Sequence, residues 1–376
     1  MSVNFAFAVG LYSVHSANLP TINSGDLFLS FGKHSLNLGI DQNLFPMKYA
    51  QLPCETKSRP LPFYLAMEEY LAGLPCDDEL FFMWQVAPTV IFGRNQRIES
   101  EVDVDYCKSH GIQFFRRKSG GGCVYADGNN IMFSAIMPRS GDVSTMFSRY
   151  TQMVVDMLAS LGFDACASGR NDVLVGGRKV SGNAVYMLPD KCIIHGTMLF
   201  DTNLQHMINA ISPSGTKLDA RGISSVKSRI TTLRSNNPEL DISEFKKYAR
   251  HAFCGDEVFA LTPSDVVGIY HRSLEYYHPS WIYGDSVSDT HSYIRRIEGV
   301  GEFRVCVSIR LDCIDNVSIS GDYFPLADVD RLLLRPLRGC RYNPEAVAGR
   351  LAELATDTSA VIMSLTPEAF VSLLFE

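Results

Sequence analysis

Apolar side chains recur at every third or fourth position in two stretches of the chain, residues 63–74 and 146–161. Because an α-helix turns once in about 3.6 residues, this spacing places the apolar side chains on one face. Both stretches are therefore predicted to form amphipathic helices. Two further helices are predicted at 243–253, with Ser243 as N-cap, and at 345–354.

Short runs rich in β-branched and aromatic residues lie between these helices and predict strands. Residues 1–58 contain only short apolar runs broken by Gly, Asn and Pro, and we expect short strands and loops there. Gly176 and Gly177 separate two of the longer runs, which is typical of a two-residue hairpin. The predicted strands are 89–92, 112–115, 123–137, 172–175, 179–186, 302–311 and 316–320.

The order of these elements predicts an α+β fold with more than one domain. A boundary is expected near Pro279 and Gly284, where the helix and strand patterns stop. We therefore divide the chain into an N-terminal extension of unknown role (1–58), a large domain (59–280) and a small α+β domain (281–376).

Charge and cysteine usage exclude several classes of protein. The net charge of −7 argues against a nucleic-acid partner, because phosphate neutralisation needs a surplus of Lys and Arg. The 10 cysteines form no C-x-x-C pair, which leaves zinc ribbons without support and favours reduced thiols in the cytoplasm. No apolar run reaches the length of about 18 residues that a membrane-spanning helix needs, so we expect no membrane association.

Three successive glycines, Gly120–Gly122, follow the basic residues Arg116, Arg117 and Lys118. Without Cβ atoms, their backbone N–H groups can approach an anion closely, and the cations add positive charge. Taken alone, the triplet is better explained as a flexible turn with solvated basic neighbours. The segment is neither a Walker loop nor a G-x-G-x-x-G fingerprint.

Three further positions also have two interpretations each. Lys179 can neutralise a phosphate and an acyl oxygen, or it can be an exposed hairpin lysine. Asn171 and Asp172 can hold a ribose or a magnesium ion, or they can cap the following strand. His195 can be a catalyst or a hydrogen-bonded core residue.

In combination, these segments resemble the lipoate-protein ligase family. Residues 116–125 are similar to its R-R-x-S-G-G-G-x-V-F/Y signature, and residues 171–184 to its N-D…K-(I/V)-S/A-G-(S/N)-A segment. Residues 194–199 resemble its H-H-G-T-L-L strand, with Ile194 in place of the first His, and residues 217–233 resemble its K-G-I-x-S-V-x-S-R-V-x-N-L element. A weaker similarity covers 297–337. The resemblance implies a mixed-sheet catalytic domain of the biotin/lipoate ligase type, followed by an accessory domain.

Membership of this family implies a reaction in two steps. Lipoate and MgATP give lipoyl-AMP, and a lysine of an acceptor protein then takes the lipoyl group. The acceptors implied are lipoyl domains of 2-oxoacid dehydrogenases and the glycine cleavage H protein, bound transiently by a monomeric ligase.

The same resemblance implies roles for individual residues. Lys179 is the catalytic residue, at the α-phosphate and the acyl carbonyl, and Asp172 is a candidate magnesium ligand. The residues implied for ATP and the adenylate are Arg117, Gly121, Gly122, Cys123, Val124, Tyr125, Asn171, Asp172 and Lys179. Those implied for lipoate are Arg117, Gly120, Lys179, Gly182, His195 and Gly196. A basic element is expected over the adenylate, at the acceptor or on a solvated surface strand, and comprises Arg221, Lys227, Arg229 and Arg234.

Departures from the family pattern leave other functions open. Ala126 replaces the usual His, and Asn129 replaces the usual Gly. An octanoyl or lipoyl transferase on the same fold would use a cysteine thioester, at Cys123 or Cys192, and no ATP. A non-catalytic protein that binds lipoate or a nucleotide is the alternative from another class, and biotin ligase is a weaker one.

Overall fold

The computed structural model describes side chains in 47–54, 58–169, 171–211, 228–284 and 292–375, and the backbone alone at 27–31 and 34–38. Two compact units contain Met1–Leu44 and Phe45–Glu376. In the first unit, strands β1 (Leu27–Phe31) and β2 (His34–Leu38) form an antiparallel pair.

The strands of the second unit form three sheets. They are β3 (Met47–Gln51), β4 (Glu79–Trp84), β5 (Thr89–Phe92), β6 (Gln113–Arg116), β7 (Val124–Ala126), β8 (Asn130–Pro138), β9 (Ala165–Ser168), β10 (Asp172–Val175), β11 (Arg178–Met187), β12 (Lys191–Leu199), β13 (Val258–Ala260), β14 (Ser292–Ile297), β15 (Gly301–Arg310) and β16 (Cys313–Gly321). The eight-stranded sheet has the order β13-β3-β4-β8-β12-β11-β10-β9. Its β13–β3 and β3–β4 pairs are parallel and its other pairs are antiparallel, so the sheet is mixed.

The described helices are α1 (Leu61–Ala72), α2 (Ile98–Glu101), α3 (Val104–Ser109), α4 (Val143–Ser160), α5 (Leu204–Ala210), α6 (Leu233–Asn236), α7 (Ile242–Cys254), α8 (Pro263–Ser273), α9 (Pro279–Tyr283), α10 (Pro344–Glu353), α11 (Thr358–Val361) and α12 (Pro367–Leu373). Single turns of 3-10 helix lie at Leu274–Tyr277 and Arg335–Leu337, and a π-helical turn lies at Asp330–Leu334.

Helices cover both faces of the large sheet because its strands are apolar on both sides. On one face, Phe81 of β4 stacks on Phe253 of α7 at 4.3 Å between ring centroids. Its neighbours along the chain point the other way, and Trp84 stacks on Tyr64 of α1 at 5.1 Å. This alternation, with a period of two residues, places α1 and α7 on opposite faces.

A three-stranded sheet, β6-β5-β7, lies beside the large sheet and presents the glycine triplet. Strand β5 pairs in parallel with β6 and antiparallel with β7. The chain from β6 to β7 therefore crosses the end of β5, and residues 117–123 form the loop between them. We call residues 117–123 the glycine loop.

The C-terminal part of the chain forms its own core around the antiparallel sheet β14-β15-β16. Helices α10 and α12 contribute Val347, Leu351 and Phe370 to this core. The segment after β16 lies against the glycine loop, where Gly121 N donates a hydrogen bond of 3.0 Å to the Tyr323 carbonyl. One wall of the glycine loop is therefore supplied by the C-terminal part.

Most of the predicted elements are confirmed, with two corrections. The run 123–137 is two strands, because Asp127 accepts from the Asn129 N–H at 2.9 Å and bends the chain between β7 and β8. The N-cap of α7 is Asp241 and not Ser243, since the Asp241 carboxylate accepts from the backbone N–H groups of Ser243 and Glu244.

Strand β3 lies within the range 1–58 and pairs with β4 in the large sheet. The hairpin at Gly176–Gly177 is confirmed by the antiparallel pairing of β10 with β11. In the residues described, no helix combines the length and the apolarity needed to cross a bilayer.

Asp241 should stabilise the protein and Ser243 should not. Bonds from Glu244 N and Ser243 N hold the pKa of Asp241 below its ordinary value, so its contribution is present above the unfolded pKa and is lost as the pH falls through the folded pKa. We expect Asp241→Ala to lower the melting temperature by a few degrees at neutral pH, and the difference to disappear in strong acid. The matched variant Ser243→Ala should melt like the wild type, and equal effects of the two variants would contradict the assignment.

Candidate active site

One cavity of about 90 Å³ lies between the glycine loop and strands β11 and β12, and most of the predicted residues line it. The predicted residues in its wall are Arg117, Gly121, Gly122, Cys123, Val124, Asn171, Lys179, Gly182, His195 and Gly196. The wall also contains Leu65, Trp84, Ile91 and Met132, which lie outside the motifs, and the motif residues Asn183, Ala184 and Thr197, for which no role was predicted. The cavity is thus polar along the glycine loop, β11 and β12, and apolar toward α1, β4 and β8.

Strand pairing brings these segments together although they are distant in sequence. In the antiparallel pair β11–β12, Gly182 lies opposite Thr197, and Asn183 lies opposite Gly196. Asn171 binds the same region, because its side-chain amide donates to the Asn183 carbonyl at 2.9 Å.

Arg116 and Lys118 of the glycine signature point away from the cavity. Arg116 donates to the carbonyls of Gln96 at 2.6 Å and Trp281 at 2.8 Å. Lys118 forms ion pairs of 2.8 Å with both Glu69 and Glu275. These two cations join the glycine loop to neighbouring helices and are not positioned to meet a phosphate.

Arg117 is the basic residue of the signature that reaches the cavity, and it also shapes the loop. Its Nη2 donates to the carbonyls of Gly120 at 2.6 Å and Gly122 at 2.7 Å, and its Nη1 donates to Ile91 at 3.0 Å. Burial lowers the pKa of the guanidinium to about 10, so it stays protonated at neutral pH. By holding two carbonyls of the triplet, Arg117 fixes the conformation of the loop.

Gly121 is under two constraints that other residues cannot satisfy. Its φ is +82°, and a Cβ would lie 2.5 Å from Cε1 of Phe324. Gly120 does not line the cavity and faces the Tyr323 carbonyl instead. The middle of the triplet thus packs against the C-terminal part of the chain.

Lys179 lies at the start of β11, and its ammonium is held by Asp172 of β10 at 2.7 Å between Nζ and Oδ1. The side chain is 37% exposed, so a ligand can reach it from the cavity. A Cβ on Gly182 would lie 2.9 Å from both Cε and Nζ of Lys179. The absence of a side chain at position 182 therefore gives the ammonium its place.

His195 is buried and belongs to a polar chain that the motifs did not reveal. Its Nδ1 lies 2.9 Å from Oε2 of Glu68 on α1, and its Nε2 lies 2.7 Å from Oγ of Ser119. Glu68 was not predicted, because one glutamate in a helix carries no motif. The signal available was its position in α1, a helix that is buried along almost its whole length.

Tyr125 and the two candidate cysteines have environments that bear on their predicted roles. Tyr125 is 2% exposed and packs with Val90 and Phe92 behind the cavity. Burial raises the pKa of the Cys123 thiol far above its ordinary value, and that of Cys192 to about 12. Neither cysteine is present as the thiolate that nucleophilic attack requires at neutral pH.

The predicted basic element is only partly described. Arg221 and Lys227 lie outside the described residues. Arg229 is exposed, and Arg234 lies over the Phe200 ring and 3.4 Å from Asp201.

Two models of known protein families match this chain. Residues 61–254 match the model of the lipoyl protein ligase A/B catalytic domain, and residues 286–374 match that of the bacterial lipoate protein ligase C-terminus. The chain belongs to the lipoate-protein ligase family. The predicted family is thereby confirmed.

Individual members of the lipoate-protein ligase family cover most of the chain. Lipoate–protein ligase 1 of Staphylococcus aureus is 34% identical over 296 residues, which are 77% of this chain and 89% of that protein. LipL1 of P. falciparum, solved in complex with lipoate, has a TM-score of 0.63 at 20% identity over 82% of this chain and 94% of its own. A lipoate-protein ligase A bound with ATP has a TM-score of 0.55 at 22% identity over 63% and 98%. The predicted α+β fold, with its mixed sheet, is that of the family.

Gly182→Ala should lower activity without unfolding the protein. The new methyl group displaces the end of a flexible lysine side chain, which costs little stability, but it moves the ammonium away from the cavity. We expect lipoate-dependent ATP–pyrophosphate exchange to fall about 10- to 100-fold, since small misplacements of reacting groups have effects of this size.

The matched control is Gly349→Ala in α10, where a Cβ would meet nothing within 4 Å. This variant should keep full activity. Unchanged exchange in Gly182→Ala would show that the ammonium does not need its observed position.

Proposed function

We propose that the protein activates lipoate with ATP to lipoyl-AMP and passes the lipoyl group to a lysine of an acceptor protein. The observation that supports this most directly is the position of Lys179, whose ammonium lies in the same cavity wall as the glycine loop. Membership of the ligase family supports the same reaction.

In the first step, a carboxylate oxygen of lipoate forms a bond to the α-phosphorus of ATP. The bond from that phosphorus to the β-phosphate oxygen breaks, and pyrophosphate leaves with the electron pair. Charge on the α-phosphate oxygens must be stabilised in the transition state. We assign this role to Lys179 and to backbone N–H groups of Gly121, Gly122 and Cys123.

We assign the adenine to Val124, with Tyr125 as support from behind, and the acyl chain to the surface between Gly182, His195 and Gly196. The apolar wall residues Leu65, Trp84 and Met132 suit a hydrocarbon chain. Because Tyr125 lies behind the cavity, its contribution is to support the loop rather than to stack openly on a base.

Asp172 is the proposed protein ligand for magnesium. Mg²⁺ in ATP-using enzymes is held by one or two carboxylates together with substrate phosphates, and Asp172 supplies one carboxylate beside the cavity. When bound, the ion neutralises phosphate charge. Asp172 also holds Lys179, so we assign it the second task of orienting the ammonium.

In the second step, the neutral amine of an acceptor lysine forms an amide bond with the acyl carbon, AMP leaves, and a proton is released. We propose lipoyl domains of 2-oxoacid dehydrogenases and the glycine cleavage H protein as transient acceptors, and a monomeric enzyme that acts in the cytoplasm. The free thiols of the cysteines agree with a reducing compartment.

Replacing Lys179 should stop adenylate formation. We expect Lys179→Ala to abolish lipoate-dependent ATP–pyrophosphate exchange. Arg117, which lies in the same cavity wall, cannot replace the lysine because its guanidinium already donates to backbone carbonyls. Arg178→Ala is the matched control, since Arg178 is an exposed cation of the same hairpin. Near-normal exchange in Lys179→Ala would overturn the assigned role.

A thioester route through Cys123 or Cys192 is disfavoured by the raised pKa of both thiols. The double variant Cys123→Ser/Cys192→Ser should therefore keep ATP-dependent transfer of lipoate to a lipoyl domain. Mass spectrometry of the acceptor measures this transfer. Complete loss of transfer in a folded double variant would favour the thioester route. Lipoate binding without pyrophosphate release in the wild type would instead indicate a non-catalytic binding protein.

A further inference from the structure

Glu68 is a buried carboxylate for which the proposed reaction has no direct use. It lies on α1, is 3% exposed, and is absent from the cavity wall. A buried charge is costly unless other groups bind it. The contacts of Glu68 therefore indicate what it does.

A continuous chain of hydrogen bonds joins Glu68 to Arg117. Oε2 of Glu68 lies 2.9 Å from Nδ1 of His195, Nε2 of His195 lies 2.7 Å from Oγ of Ser119, and Nε of Arg117 donates to that Oγ at 2.8 Å. All four residues are less than 8% exposed. We call Glu68, His195, Ser119 and Arg117 the relay.

The donors and acceptors of the relay can be assigned in order. Arg117 Nε can only donate, so Oγ of Ser119 accepts from it and directs its own hydrogen to Nε2 of His195. With a ring proton on Nδ1, His195 donates to Glu68, and every bond of the relay then has one donor and one acceptor. A carboxyl group stands at one end of the relay and a guanidinium at the other.

The Arg117 end of the relay controls the glycine loop. Its Nη2 donates to the carbonyls of Gly120 and Gly122. These two bonds fix the orientation of the peptide groups of the loop, including their N–H groups. With Nε fixed by Ser119, the guanidinium plane has one orientation. The geometry of the loop therefore depends on the Glu68 carboxylate, which is connected to Arg117 through His195 and Ser119.

We propose that Glu68 is a positioning residue for ATP binding, acting through His195 and Ser119 on Arg117 and thereby on the glycine loop. This inference rests on the proposed function, in which that loop binds the nucleotide. It assigns Glu68 no contact with ATP and no part in proton transfer.

Glu68, His195 and Ser119 have the arrangement of a serine hydrolase triad. The surroundings of Ser119, however, do not suit a nucleophile. Ser119 is 1% exposed and does not line the cavity. Its Oγ also accepts the Arg117 bond, so a lone pair needed for attack is occupied.

The test uses the KM for ATP in lipoate-dependent pyrophosphate exchange, with four variants. Glu68→Ala and Ser119→Ala should each raise this KM about tenfold, with a smaller effect on kcat. Glu68→Gln keeps an oxygen acceptor for Nδ1 and should restore most of the affinity. Glu68→Ala/Ser119→Ala should resemble either single variant, because residues of one network have non-additive effects.

Ser134→Ala is the matched control. Ser134 is a second buried serine that donates to Oε1 of Glu68 at 2.5 Å, an oxygen that also lies 3.0 Å from Nδ1 of His195, but Ser134 is not a link between Glu68 and Arg117. Its KM for ATP should change less than about twofold, even if its melting temperature falls. An ATP KM that rises as much in Ser134→Ala as in Ser119→Ala would overturn the proposal.

Additive effects in the double variant, or a lower melting temperature with an unchanged ATP KM in Ser119→Ala, would also overturn it. If Glu68→Ala does not fold, Ser119→Ala carries the test, and titration calorimetry with ATP alone measures the affinity directly. Failure of the proposed function has a different result, since the wild type would then release no pyrophosphate with either lipoate or octanoate.

Discussion

The buried guanidinium of Arg117 is the interaction on which the candidate site depends. Three glycines in succession have no side chains with which to hold a conformation, and the entropy of such a loop opposes any fixed arrangement. Arg117 offsets this by binding the carbonyls of Gly120 and Gly122 at once. Its charge is tolerated in the interior because several oxygen acceptors surround it and Glu68 provides an opposite charge through the relay. A loop that can approach a ligand closely is thereby made rigid enough to bind one.

The three cations of the signature differ in whether their positive charge is available to a ligand. Arg116 is bound by backbone carbonyls and Lys118 by two glutamates. Both are therefore committed to holding α1, the 3-10 turn Leu274–Tyr277 and α9 against β6 and the glycine loop. Arg117 is committed to the loop itself. Lys179, paired with a single carboxylate and partly exposed, keeps donors for a ligand. The count of basic residues around the glycines therefore overstates the charge available to a phosphate, and the lysine contributed by another hairpin matters more than two of the three adjacent cations.

The sequence predicted elements and motifs well where the information is local, and less well where it is not. The periodicity of 63–74 and the glycines between β10 and β11 depend on neighbours in sequence, and they correctly predicted a helix and a hairpin. The predicted amphipathic character was wrong, because α1 is buried on nearly every side and not on one face alone. The position of Lys179 and Gly182 in one wall with the glycine loop followed from the family motifs. Glu68 could not be found in this way, because its partners come from β8 and β12, and no spacing along α1 reveals them. The direction of Arg116 and Lys118 was equally inaccessible, since it is set by groups of α1, the 3-10 turn Leu274–Tyr277 and α9, which are distant in sequence.

The C-terminal part of the chain also binds a backbone group of the glycine loop. Arg117 binds carbonyls on either side of Gly121, while the N–H of Gly121 itself is bound by the Tyr323 carbonyl. A phosphate that takes this N–H must replace Tyr323, because one N–H makes one good hydrogen bond. Phe324 packs against the same residue and against Ala184 of the cavity wall. In the proposed reaction, binding of a nucleotide phosphate by the Gly121 N–H and the Tyr323 contact are therefore alternatives, and each would affect the free energy of the other through a single backbone group.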